Sequence, residues 1–150
     1  MEEDFSTIDI EISVWYNLIK VRGWHNMIVY HGSTNTEIKE FRLKNAYGTN
    51  GIFFSDSFEL AKDMTYNTPK GVYKCEIKPT STIELDANGT PFNDLKIEGE
   101  ADDLIIVDLT EKYYGKCDCL IIKNVLEYAR YIVTDYIVFD PSIITILEQI

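Results

Sequence analysis

Apolar and polar residues alternate along this chain in short stretches, each with the spacing of a strand or a helix. Between Ile8 and Val21, the residues Ile12, Trp15, Tyr16 and Ile19 recur at helical intervals, which predicts an N-terminal helix ending near Gly23. Met27 to His31 has the character of a short strand, broken by Gly32. Thr36 to Lys44 fits a helical turn with Ile38, Phe41 and Leu43 facing inward. The Asn- and Gly-rich piece from Asn45 to Gly51 is a loop that calls for unusual backbone angles. Gly51 to Ser55 is a strand, after which Asp56 or Ser57 caps a helix whose Phe58, Leu60, Ala61 and Met64 suit burial.

The second half continues in the same way. Val72 to Ile77 and Thr82 to Leu85 are strands, and Ala87 to Phe92 is a turn. A helix is expected around Ala101 to Tyr113, inside an acidic stretch from Glu84 to Glu111 that reads mainly as a solvated face. Cys117 to Ile122 and Tyr136 to Phe139 are buried-type strands, the latter ended by Pro141. Ser142 to Ile150 finishes the chain as a strand or a brief helix. No repeat, linker or low-complexity tract interrupts this order. The expectation is one α+β domain over residues 1–150, with a helical extension over 1–25 and a core over 27–146.

Composition narrows the partners. The chain has 150 residues, 45% of them hydrophobic and 26% charged, which suits a globular protein with a core of its own. Its net charge of -11 disfavours a nucleic-acid partner held by neutralised phosphates and makes a protein partner the easier expectation. Cys75, Cys117 and Cys119 match neither a disulfide framework nor zinc-ligand spacing, so no metal is expected. Cys117 and Cys119, two apart in an apolar run, are expected on one side of a strand as buried thiols. The acidic start from Met1 to Asp9 lacks a secretory pattern, and no apolar run approaches the roughly 18 residues of a membrane span. A cytoplasmic protein with no membrane partner is the resulting expectation.

Motifs of the common nucleotide sites are missing. No strand is followed by G-x-G-x-x-G, and no P-loop is present. Only His25 and His31 are available, and neither H-E-x-x-H nor G-x-S-x-G occurs. What remains is three strand-like stretches, each carrying polar residues at an end. These are Tyr30-His31-Gly32-Ser33, Gly51-Ile52-Phe53-Phe54-Ser55-Asp56, and Asp135-Tyr136-Ile137-Val138-Phe139-Asp140. A glycine after His31 lets a ligand approach the main chain, whose N–H and C=O can hold a planar carboxamide.

In this order the three stretches resemble the NAD-binding core of the ADP-ribosyltransferases, in the branch of poly(ADP-ribose) polymerases and diphtheria toxin. The resemblance spans roughly Ile28 to Ile144 and includes Tyr114-Gly115-Lys116-Cys117-Asp118-Cys119, similar to a run in small phage and mobile-element members. It implies two facing, mostly antiparallel β-sheets with a few helices and an NAD cleft between them. It implies NAD as co-substrate, held by His31, Gly32 and Ser33 of the first stretch and Gly51, Phe53 and Phe54 of the second. Nicotinamide is sandwiched in that family between the strand aromatic, here Phe53, and a helix tyrosine. By spacing from Ala61 that tyrosine's place falls on Asp63 or Met64, with Tyr66 the nearest tyrosine. The catalytic residues are then His31 and Asp135, with Asp135 standing where the family has glutamate.

The implied activity is mono-ADP-ribosylation of a macromolecular acceptor, with protein the expected class, by a phage or bacterial effector. Two alternatives share the site: an NAD glycohydrolase, and a catalytically silent module that binds NAD, ADP-ribose or a partner. Breaking the nicotinamide–ribose bond develops an oxocarbenium-like ribosyl cation, which a nearby carboxylate stabilises.

Overall fold

A computed structural model describes residues 26–43, 50–92, 95 and 106–150. The predicted N-terminal helix lies outside these residues, as does most of the loop before Gly51. The elements are β1 (Met27–Gly32), β2 (Ile52–Ser55), α1 (Phe58–Asp63), β3 (Val72–Ile77), β4 (Thr82–Asp86), α2 (Ile106–Tyr113), β5 (Cys119–Glu127), β6 (Tyr131–Val138) and β7 (Ile144–Gln149). A 3-10 turn over Pro141–Ile143 separates β6 from β7, capped by the Asp140 carboxylate accepting from the Ser142 N–H. The class is α+β.

Seven strands form one sheet in the order β4-β5-β6-β2-β1-β3-β7. Every neighbouring pair is antiparallel except β4 with β5. That pair is parallel because the chain between them crosses back through α2 instead of turning in a hairpin. Where two facing sheets were expected, strand pairing is continuous. Its two halves, β4-β5-β6-β2 and β1-β3-β7, meet at the single residue pair Tyr30–Ser55.

Both faces of the sheet are covered, which explains the unbroken apolar run from Cys119 to Ile122. On one face Leu120, Ile122, Val125 and Ile137 pack with Leu109 and Tyr113 of α2 and with Leu95. On the other, Val29, Phe54, Tyr73, Cys75, Ile77, Cys119 and Val138 form a second core. The segment after β1 covers this second core. Ile38, Phe41 and Leu43 point inward as expected, but over the described part of that segment the backbone is irregular and not a helical turn. The Ile38 N–H donates to the Tyr73 hydroxyl, which donates in turn to the Asn35 carbonyl, so tertiary bonds replace helical ones.

Two further expectations are corrected. Cys117 and Cys119 are both buried, but Cys117 belongs to the first core and Cys119 to the second. Cys117 precedes β5 in an isolated bridge with Tyr114, so the two-residue strand period does not reach it. The last long strand begins at Tyr131 and not at Tyr136, which puts Asp135 in its interior.

Candidate functional site

The three sequence stretches come together. β1, β2 and β6 are consecutive in the sheet, although β6 lies far along the chain from the other two. Tyr30 is paired with Ser55, and Ser55 with Asp135, so one residue from each stretch stands in a single row. Directly opposed residues share a face, so Tyr30, Ser55 and Asp135 point one way. His31, Phe54 and Tyr136 point the other way.

β1 and β2 part beyond that row. The next pair of equal parity would be Gly32 with Phe53, and the strands do not form it. On its other side β1 is paired with β3 along its whole length, with Gly32 opposite Val72. The flanking bond from the Ser33 N–H to the Gly71 carbonyl (2.9 Å) marks that pair as the kind whose own amides point away from each other. The N–H and C=O of Gly32 therefore face β2, in the region where β2 has separated.

The imidazole of His31 occupies part of this parting. Its Nδ1 lies 2.7 Å from the Phe53 carbonyl oxygen, which can only accept, so Nδ1 carries the proton and Nε2 is a bare acceptor. Burial pushes the His31 pKa below its ordinary value, with the Phe53 carbonyl bond pulling the other way. The ring is held edge-on by Phe41 at 4.9 Å and tilted against Phe54 at 5.6 Å. A neutral imidazole locked in one tautomer can receive a hydroxyl proton at Nε2.

The remaining predicted residues divide by face. Phe53 lies on the Gly32 side, half-buried, with its ring edge-on to Phe92 at 6.4 Å. Phe54 is buried in the second core and is not brought to Phe53. The Ser33 hydroxyl accepts from the Asn35 N–H at 2.9 Å, a local turn bond. Gly51 packs closely on β6, since a Cβ there would lie 2.3 Å from Cγ2 of Ile137. Tyr66 stands 78% exposed with φ of 51°, while the Cβ of Met64 lies against Gly32. Of the residues considered for the second clamp, Met64 is the one beside the glycine. Asp63 instead accepts from the Tyr131 hydroxyl and sits 3.6 Å from Arg130.

Asp135 has the most unusual surroundings. It is 4% exposed, and among the described residues no donor reaches its Oδ2. Burial raises its pKa strongly, and a hydrogen bond with the Glu127 carboxyl, the charge of Glu127 and the charge of Asp56 add to the rise. Sequence reading missed Glu127, because periodicity gave no sign that β5 extends that far or which way the side chain turns.

Among the described residues no three His, Cys, Asp or Glu side chains are grouped to hold a metal ion. None of their helices is long and apolar enough to cross a membrane. No family model matches this chain, and no curated protein matches it either.

Proposed function

We propose that this protein is an NAD-dependent mono-ADP-ribosyltransferase with an ADP-ribosyltransferase-like fold. One observation carries the reading: the three stretches occupy adjacent strands where β1 and β2 part after a single pair. In this reading nicotinamide enters the parting, its carboxamide on the N–H and C=O of Gly32, its ring between Phe53 and Met64. The ribose hydroxyl donates to Nε2 of His31. Fixing the leaving group against a rigid strand supplies most of the rate, because orientation is worth several powers of ten. The acidic position of the site is the Asp135 region, on the same face as Phe53.

Incubation with labelled NAD and a cell lysate tests this. The expected result is label on a macromolecule with release of nicotinamide, lost in Asp135→Ala. Free ADP-ribose alone would make the protein a glycohydrolase. Saturable NAD binding without turnover would make it a silent binding module. Absence of NAD binding would remove the assignment.

A further inference from the structure

What His31 can accept depends on how its ring is held. Nδ1 must stay on the Phe53 carbonyl, 2.7 Å away, for Nε2 to remain bare. Phe41 holds the ring from the side, its own ring meeting His31 at 4.9 Å, Phe54 at 5.3 Å and Tyr73 at 6.0 Å, each edge-on. Those three partners come from three different strands, β1, β2 and β3. Edge-on contacts orient a ring more closely than apolar burial alone, since ring edge and ring face carry opposite partial charge.

Phe41 itself belongs to no helix or strand. Among the described residues, the hydrogen bonds from residues 34–43 to the sheet end on two side chains, Tyr73 and Gln149. Tyr73 is fully buried and stands directly opposite His31 in the β1–β3 ladder, on the same face. Its hydroxyl accepts from the Ile38 N–H at 3.1 Å and donates to the Asn35 carbonyl at 2.8 Å. A carbonyl and an N–H three residues apart are the pair that bonds directly in a β-turn. Here the hydroxyl stands between them and holds the turn open. Gln149 of β7 adds a second tie, its amide donating to the Thr36 carbonyl at 2.8 Å and the Lys70 carbonyl at 2.7 Å.

We propose that Tyr73 is a positioning residue for His31: its hydroxyl fastens the segment that carries Phe41, and Phe41 holds the imidazole with Nδ1 on the Phe53 carbonyl. Without the hydroxyl, the Ile38 N–H and the Asn35 carbonyl are satisfied by closing on each other or by water. Either outcome draws the segment off Tyr73, and Phe41 moves with it. An imidazole released on that side exchanges the Phe53 carbonyl for water and populates both tautomers. The consequence for function rests on the NAD reading, in which Nε2 accepts from the ribose hydroxyl.

Imidazole nitrogen NMR near about pH 8 tests the positioning without any ligand, because protonated and bare ring nitrogens give distinct signals. The His31 signals are identified by their loss in His31→Gln. Wild type is expected to show one tautomer, with Nδ1 protonated, and Tyr73→Phe a mixture of two. Phe41→Leu, which leaves both Tyr73 bonds in place, is expected to give the same mixture. The wild-type signal in either variant overturns the proposal. NAD affinity then tests the link to the site by a double-mutant cycle. Tyr73→Phe is expected to weaken NAD binding about tenfold when His31 is present, and less than about twofold in a His31→Gln background. Equal losses in the two backgrounds overturn the proposal, because the hydroxyl would then act through general packing. A protein that shows the tautomer mixture yet binds no NAD would lose the function proposed above and keep the positioning.

Discussion

Substitution of Gly32 by alanine separates what this glycine does for packing from what it does for a ligand. A Cβ at residue 32 would stand 2.0 Å from the Ala61 carbonyl oxygen, 2.8 Å from the Ala61 carbonyl carbon and 3.0 Å from the Met64 Cβ. Ordinary contact needs well over 3 Å, so α1 must move by more than 1 Å, and two of the three obstacles are backbone atoms that no rotamer can clear. Overpacking of this kind costs about 3 kcal/mol, the upper end of its usual range. With an m-value of about 2 kcal/mol per molar urea for a chain of this size, the unfolding midpoint should drop by about 1.5 M. Gly89→Ala is the control. Gly89 has φ of 85° and nothing within 4 Å of a would-be Cβ, so only backbone strain of about 1 kcal/mol applies. Urea unfolding followed by tryptophan or tyrosine fluorescence measures both. If Gly32→Ala shifts the midpoint no more than Gly89→Ala, α1 does not sit on β1 as described, and the argument for the Met64 side of the cleft fails with it.

Four other outcomes are expected. Because burial keeps His31 from protonating, the unfolded chain takes up a proton below about pH 6.5 that the folded chain refuses. Stability should therefore fall as pH drops through that value, and His31→Gln should flatten the fall in urea midpoints between about pH 7.5 and 5.5. Asp135 behaves oppositely, since its folded carboxyl keeps a proton that the unfolded one releases above about pH 4. Asp135→Asn should stabilise the protein at pH 7 by at least a factor of ten in the folding equilibrium, about 1.4 kcal/mol, the gain shrinking to nothing near pH 4. Ser57→Ala removes the hydroxyl that accepts from the Leu60 N–H at 3.1 Å and should cost about 1 kcal/mol in urea unfolding. Burial pushes the Cys75 thiol up to about 12 and raises Cys119 and Cys117 as well, so a thiol reagent should titrate all three only after unfolding.

Local patterning reveals most of the elements. Strands at Met27, Ile52, Val72, Thr82 and Cys119, and the helix capped by Ser57, follow from runs of apolar residues and from one hydroxyl able to accept a backbone N–H. These are short-range effects, and the residues that cause them are neighbours in the chain. The three candidate stretches were also legible, because each is a strand end with its polar residues adjacent.

Their mutual arrangement was decided by tertiary structure. Nothing in the spacing of Tyr30, Ser55 and Asp135 says that they share a row, since that depends on which strands pair and in what register. Only the assembled sheet makes Asp135 an interior residue of β6, as Tyr131 to Thr134 gain strand geometry by pairing with β5. The faces of Cys117 and Cys119 depend on where β5 begins, and β5 and β6 stay in register past Asn124 only because β5 holds one extra residue there. Periodicity records which residues want burial. Pairing between strands far apart in the chain settles which polar groups are buried beside them.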